Sequence, residues 1–128
     1  MSGQFLGPNG GYTSDAIEAV DYFNNQKDGN RNIIATNNSW GGGGFSRGLY
    51  DAITRASEKD ILFIVAAGNS NTSDLQFPAA YGVDLTVREG RGKNASSTFY
   101  PARENVISVG SITSVSYTHL TLPTICSV

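Results

Sequence analysis

Residues 61–66 constrain the fold of this chain more than any other segment. They read Ile-Leu-Phe-Ile-Val-Ala, an unbroken apolar run rich in β-branched and aromatic residues, between Asp60 and Gly68. A half-exposed strand alternates apolar and polar residues, whereas a strand buried on both faces reads as a continuous apolar run. The run therefore predicts a buried strand of a parallel sheet with helices above and below it.

Helical and strand patterns alternate around this run. The polar cluster Thr13-Ser14-Asp15 predicts the N-terminus of a first helix, which is expected to close at Asn24 and Asn25. A short strand is expected at residues 33–36, and a last strand at 106–109. Ser46 is placed to cap a second helix, whose apolar stripe at helical spacing is Leu49, Ala52, Ile53 and Ala56. This order predicts an α/β domain of three layers, with a mostly parallel sheet and helices on both faces.

Residues 70–105 are the exception, because they show no periodic pattern over a length that is unusual for a structureless loop. Leu85-Thr86-Val87 is a candidate small strand inside this stretch, in an insertion. Two similar motifs, Phe77-Pro78-Ala79 and Tyr100-Pro101-Ala102, occur at its two ends. The position of the stretch relative to the rest of the fold therefore stays open.

Charge and composition exclude several classes of protein. Nine basic and 11 acidic side chains give a formal net charge of −2, so neither a nucleic acid nor a membrane surface is an expected partner. No apolar run approaches the roughly 18 residues of a membrane span. One Cys and one His cannot form an internal disulfide or a metal cluster. No metal or cofactor site is identifiable in this sequence.

The carboxyl ends of two of the three predicted strands are rich in Gly, Asn and Ser. Ligands bind at the carboxyl ends of the strands in open α/β sheets. The glycine run at residues 41–44 has the position of a phosphate-binding turn between a strand and a helix. However, no Lys-Ser or Lys-Thr pair follows it, and its spacing does not complete the dinucleotide fingerprint. A nucleotide-binding α/β domain is kept as an alternative.

Two segments that follow strands resemble the subtilases, the subtilisin-like serine peptidases. They are Asn37-Asn38-Ser39-Trp40-Gly41-Gly42 and Ala66-Ala67-Gly68-Asn69. The similarity continues in order over most of residues 1–113. The resemblance implies a subtilisin-like domain that hydrolyses internal peptide bonds of a protein or peptide substrate through a seryl acyl-enzyme. It also implies a monomeric, secreted or extracellular parent protein, which in full length could hold calcium.

The resemblance gives roles to seven residues. Asn69 matches the asparagine whose side-chain amide donates to the oxyanion that develops during acyl transfer. Three residues match the segment that pairs with the substrate backbone: Ser39, Trp40 and Gly41. Three others match the opposite wall of the primary specificity pocket: Ala66, Ala67 and Gly68. Small side chains in that wall would leave room for a large apolar side chain of the substrate, and Trp40 either shapes a neighbouring subsite or is a half-buried packing residue.

The catalytic triad is missing from the chain. A serine peptidase needs a nucleophile, a base and a carboxylate that orients the base. The Gly-Thr-Ser turn of the family's nucleophile does not occur, and the one histidine, His119, lacks the family's His-Gly-Thr-His context. The chain as written is therefore predicted to be inactive, and a non-catalytic, peptide-binding pseudoenzyme is a second alternative.

Residues 115–128 are interpreted as a tail that does not belong to the domain. From Val115 to Thr124 they match, codon by codon, the translation of a sequencing adapter, and they contain both His119 and Cys126. The predicted organisation is a central fragment of a subtilase catalytic domain at residues 1–114, followed by this artefactual tail. Met1 is interpreted as an internal methionine, with the family's Asp and His expected upstream.

Overall fold

The computed structural model describes residues 1–69 and 74–111. In chain order its elements are α1 (Thr13–Asp28), β1 (Ala35–Asn38), α2 (Arg47–Glu58), β2 (Leu62–Ala66), β3 (Leu85–Glu89), β4 (Ser96–Tyr100) and β5 (Val106–Val109). Two short 3₁₀ helices span Ala79–Gly82 and Gly92–Asn94. The predicted tail at residues 115–128 lies outside the described residues, as do His119 and Cys126.

The three strands β1, β2 and β5 form a parallel sheet in that order, which confirms the predicted α/β architecture. Asn38 is paired with Val65, and Ala66 with Val109, so the three strands end side by side. Strand β1 begins two residues later than the sequence predicts, because its register is set by pairing from Ala35 with Leu62 of β2. The residues after β1 and those after β2 are thereby brought to the same edge of the sheet.

Helix α2 forms as the sequence predicts, because both its start and its buried face are encoded locally. The Ser46 hydroxyl accepts a hydrogen bond from the Leu49 N–H at 3.3 Å and so caps the helix. The predicted stripe is at most 2% exposed: Leu49, Ala52, Ile53 and Ala56. This face joins a hydrophobic cluster with Phe63 and Val65 of β2.

Helix α1 departs from its prediction at both ends. Its N-cap is Tyr12, which makes no side-chain capping bond, and the helix continues through Asn24 to Asp28. Asn24 is only 3% exposed, and its amide donates to the Ala52 carbonyl of α2 at 3.2 Å. Because that amide has a partner on another helix, it does not compete for the backbone hydrogen bonds of its own helix. Helix α1 therefore continues past Asn24.

One face of the sheet is open in the described part of the chain. Phe63 and Val65 are buried in the cluster to which both α1 and α2 contribute, whereas Leu62 is 43% exposed. Successive strand residues point to opposite faces, so the open face also carries Ile64 and Val109. The expectation that strand 61–66 is buried on both faces is therefore not met among the described residues, where α1 and α2 cover one face only.

The stretch at 70–105 contains an antiparallel hairpin rather than a structureless loop. Strand β3 confirms the predicted strand at Leu85-Thr86-Val87 and pairs with β4 from Leu85 and Tyr100 to Glu89 and Ser96. At the base of the hairpin, the Asp84 carboxylate accepts the Ala102 N–H at 2.8 Å. The sequence did not indicate β4, because Ser96, Ser97 and Thr98 show no apolar alternation.

Candidate functional site

A cleft of about 280 Å³ opens where β1 and β2 end. Its lining consists of Ser39, Trp40, Gly41, Ala66, Gly68, Asn69, Gln76 and Phe77. Parallel strands place their carboxyl ends at one edge of a sheet, which explains why segments so far apart in sequence converge there. The structure thus brings together six of the seven residues singled out from sequence.

The first wall of the cleft follows β1 and is held in place by Asn38, a buried side chain that the sequence analysis did not assign. The Asn38 amide donates to the Thr36 hydroxyl at 3.0 Å and to the Ile64 carbonyl of β2 at 3.3 Å. Its oxygen accepts the indole N–H of Trp40 at 3.3 Å. The Trp40 ring also meets Phe5 edge-on, with centroids 5.1 Å apart. Trp40 is therefore fixed from two sides, while Ser39 is exposed beside it.

The glycine turn at residues 41–44, which belongs to this wall, is hydrogen-bonded to the segment around Phe77. The N–H of Gly42 donates to the Phe77 carbonyl at 3.2 Å, and a Cβ on Gly41 would lie 3.4 Å from the same oxygen. Gly42 and Gly43 have φ angles of +120° and +72°, which side-chain-bearing residues rarely adopt. Because the Gly42 N–H is used within the protein, this turn does not present it to a phosphate group.

The second wall follows β2 and consists of Ala66, Gly68 and Asn69. Gly68 has a φ of +104°, and this turn leaves Asn69 exposed among the lining residues. The structure places Ala67 outside the lining. Ala67 is 8% exposed, and its N–H extends the sheet by donating to the Val109 carbonyl at 2.9 Å.

Two lining residues, Gln76 and Phe77, were missed by the sequence analysis. The Gln76 side-chain oxygen lies 3.4 Å from where a Cβ on Gly68 would be, and 3.8 Å from where a Cβ on Gly41 would be. The glutamine amide is therefore situated between the two walls. The signal that could have located it is Phe77-Pro78-Ala79, whose near-duplicate at Tyr100 left the alignment open; the Phe77-Pro78 peptide bond is cis.

Tyr81 anchors the segment that carries Gln76 and Phe77. Its ring is fully buried, 4.9 Å from the Phe77 ring. Its hydroxyl accepts the Ser46 N–H at 2.9 Å and donates to the Ser46 carbonyl at 3.0 Å. Burial raises the pKa of Tyr81, and the hydrogen bond with the Ser46 backbone only partly opposes it. The neutral phenol therefore links residues 79–82 to the residue that caps α2.

None of the eight described residues that line the cleft has a titratable side chain. The cleft offers backbone groups, two side-chain amides, a hydroxyl and an indole, all of them uncharged. Such a lining can hold a peptide by hydrogen bonds and can donate to a developing negative charge, but it cannot transfer protons in acid–base steps. Among residues 1–69 and 74–111, no group of three or more His, Cys, Asp or Glu side chains is placed to hold a metal ion.

The fold and the cleft define a class: an α/β protein with a peptide-sized, uncharged cleft at the carboxyl edge of a parallel sheet. The sequence profile of the subtilase family (peptidase S8) matches residues 1–123. The chain belongs to the subtilase family. The match overlaps the first part of the segment interpreted as a tail, and that interpretation stays a prediction.

Curated relatives share part of the chain. Fervidolysin of Fervidobacterium pennivorans is 35% identical over 78 residues, which is 58% of this chain and 11% of fervidolysin. A protein named probable subtilase-type serine protease, from Deinococcus radiodurans, is 44% identical over 50 residues, 39% of this chain and 7% of that protein. The chain thus spans only about a tenth of the length of these relatives.

Solved structures share the fold. The S41 psychrophilic protease superposes with a TM-score of 0.53 and 26% identity, over 82% of this chain and 34% of that protein. Sphericase superposes with a TM-score of 0.56 and 23% identity, over 85% of this chain and 36% of sphericase. No helix in the described part of the chain is both long and apolar enough to cross a membrane.

Proposed function

We propose that this chain supplies the substrate-binding walls and the oxyanion donor of a serine endopeptidase domain. The observation that carries the proposal is the convergence of Ser39, Trp40 and Gly41 with Ala66, Gly68 and Asn69 on one cleft. These two groups follow neighbouring parallel strands, so an extended peptide lying between them meets main-chain groups on both sides. Pairing with an extended backbone gives affinity without requiring a particular sequence.

Asn69 is the residue assigned to the chemical step. Its amide N–H is uncharged at every working pH, and it lies among lining residues that carry no competing charge. A fixed donor of this kind stabilises the carbonyl oxygen as that oxygen becomes negative in the transition state. The remaining lining residues would then hold the peptide so that its carbonyl meets this donor.

The nucleophile and the base are not assigned to this chain. The sequence has no Gly-Thr-Ser turn, and its one histidine is His119. We therefore expect the 128-residue chain to bind peptides without hydrolysing them. Protein or peptide substrates, an extracellular location and calcium in a longer parent protein are part of the proposal at the level of the family.

The test is a titration of the isotope-labelled chain with a blocked tetrapeptide, followed by two-dimensional NMR. Shifts of the Gly41, Gly68 and Asn69 amides that saturate together are the expected result, and ATP in the same experiment should leave residues 41–44 unchanged. A fluorophosphonate probe should label no serine. Peptide shifts located elsewhere, or stoichiometric labelling of a serine, would contradict the proposal.

A further inference from the structure

We propose that the β3–β4 hairpin carries a second binding surface, which takes an acidic segment of a partner protein that also presents an aromatic side chain. The surface consists of the outer face of the hairpin, defined by Thr86, Arg88, Ser97 and Phe99, and of the tip at residues 90–95. None of these residues lines the cleft. The inference therefore goes beyond the proposed function and does not depend on it.

The register of the hairpin separates its two faces. Thr86 is paired with Phe99, and Arg88 with Ser97, so the four side chains share one face, and all four residues are exposed. The opposite face carries Val87, which packs against the hydrophobic cluster of the domain. The hairpin is thus held to the domain through its inner face, while its outer face has no cover in the described part of the chain.

The hairpin is a basic element in an acidic chain. Residues 85–100 contain three of the nine basic side chains, Arg88, Arg91 and Lys93, but one of the 11 acidic ones. The formal charge of the hairpin is therefore +2, against −4 for the rest of the chain. The one acid, Glu89, lies on the inner face by strand alternation, where its carboxylate accepts the Tyr100 hydroxyl at 3.0 Å. Arg88 consequently has no carboxylate beside it on the outer face.

The cations of the hairpin also differ from the others in how they are engaged. The ion pairs among the described residues use Arg47, Arg55 and Lys59, all of which lie on or directly after α2. None of these ion pairs includes a side chain of the hairpin. Positive charges that lie close together repel one another, and a partner with carboxylates both attracts them and offsets that repulsion.

Phe99 narrows the chemistry of the partner. Its side chain is 60% exposed on the same face as Arg88. Exposed aromatic and arginine side chains are enriched where proteins bind one another, and an aromatic ring packs well against a second ring edge-on. A polynucleotide would extend past the hairpin and meet the acidic remainder of the chain. A short acidic segment with an aromatic residue therefore fits this surface better.

The experiment compares two hexapeptides in NMR titrations of the isotope-labelled 128-residue chain. One is N-acetyl-Glu-Asp-Phe-Glu-Asp-Glu-amide, and the other has Gln or Asn in place of each acid, at nearly the same size. We expect the acidic peptide to bind about tenfold more tightly and to shift the Thr86, Arg88 and Phe99 amides together. Raising the sodium chloride concentration from about 20 mM to about 200 mM should remove most of this difference, because salt screens exposed charges.

Arg88→Glu should weaken binding of the acidic peptide by about fivefold. The matched control is Arg31→Glu, which reverses the charge of an exposed arginine between α1 and β1, and it should change the affinity by less than about twofold. Phe99→Ser should reduce the preference for the acidic peptide over a version in which Ala replaces Phe. The amide signals of Phe63 and Val65 show whether each variant keeps its fold.

Equal affinities for the acidic peptide and its amide analogue, or equal effects of Arg88→Glu and Arg31→Glu, would overturn the inference. An oligothymidylate of the same formal charge that binds as tightly as the acidic peptide would also overturn it, because the surface would then bind polyanions in general. Shifts at Gly41 and Gly68 in place of Thr86 and Phe99 would assign the acidic peptide to the cleft. That result would overturn this inference and leave the proposed function standing.

Discussion

Asn69 carries the sharpest prediction at the scale of single residues. In a complete enzyme that combines this chain with a catalytic triad, Asn69→Leu should lower kcat by about 10²–10³-fold and leave KM nearly unchanged. The hydrogen bond forms mainly when charge develops on the carbonyl oxygen, so transition-state binding is lost and ground-state binding is kept. The size of the effect is that of the oxyanion donor in subtilisin itself. Steady-state kinetics normalised by active-site titration measure it.

If Asn69 only shapes the turn, the variant should instead melt at a lower temperature and keep its kcat per competent site. A fall of less than about tenfold, or roughly 1.4 kcal/mol, in kcat per titrated site would contradict the oxyanion role. Leucine is preferred to alanine because its size keeps water from taking the place of the amide.

A second prediction for a single residue concerns Gly68, and it can be tested in the 128-residue chain without adding a catalytic triad. Its φ of +104° is strained for any L side chain, so Gly68→Ala should lower the free energy of unfolding by about 1–3 kcal/mol. Gly44→Ala is the matched control, because a Cβ there meets nothing within 4 Å and its φ lies outside the left-handed region. Urea denaturation measures both variants, and equal stabilities would contradict the prediction.

At the scale of elements, Tyr81 connects the 3₁₀ helix at Ala79–Gly82 to the N-cap of α2. Tyr81→Phe removes both hydrogen bonds to Ser46 and leaves the Ser46 N–H without its partner. We expect a loss of about 1–3 kcal/mol in the free energy of unfolding. Tyr22→Phe, at a tyrosine that is 52% exposed, is the control and should change stability by less than about 0.5 kcal/mol.

The same tyrosine predicts an alkaline loss of stability. Burial raises the pKa of Tyr81 above its ordinary 10.0, so the folded state favours the protonated phenol. This contribution is complete below about pH 10 and is lost as the pH rises through the folded-state pKa. The urea midpoint of the unmodified chain should therefore fall more steeply above pH 10 than that of Tyr81→Phe. Parallel curves for the two proteins would contradict this.

Elements were predictable from sequence where their determinants are local. The cap and stripe of α2 lie within its own residues, from Ser46 to Ala56, and both predictions are confirmed. The end of α1 was not predictable, because Asn24 is satisfied by the Ala52 carbonyl, 28 residues away. The start of β1 likewise depends on its register with β2.

The candidate site likewise contains residues that could be located from sequence and residues that could not. Its two walls directly follow predicted strands and carry motifs that resemble those of the subtilases, so the sequence located Ser39 and Gly68. Gln76 is brought to the cleft by a turn whose anchor is Tyr81, and no local pattern encodes that contact. Ala67 was assigned to the wall as part of a run of small residues, but strand alternation carries it away from the cleft.

At the scale of the whole molecule, the open face of the sheet predicts self-association. Leu62 is 43% exposed and Val109 is 36% exposed on this face, and β1 and β5 are the edge strands of the described sheet. Exposed apolar patches and unpaired strand edges both favour contact between copies of a chain. Sedimentation velocity should show larger species as the concentration of the 128-residue chain rises.

Leu62→Lys should weaken this association, because it puts a charge at the centre of the open face. Phe99→Lys is the matched control, since Phe99 is 60% exposed but lies on the hairpin rather than on the sheet. A monomer at all concentrations, or an equal effect of the two substitutions, would contradict the role of the open face.

The hairpin of β3 and β4 begins and ends at one place in the fold. Leu85 pairs with Tyr100, and the Asp84 carboxylate accepts a hydrogen bond from the Ala102 N–H at 2.8 Å, so the two ends of the hairpin are joined at its base. The length of the hairpin therefore does not change the distance between β2 and β5. The tip at residues 90–95 is accordingly a grafting point, where an affinity tag or a fluorophore-binding loop could be spliced in without displacing the strands that end at the cleft.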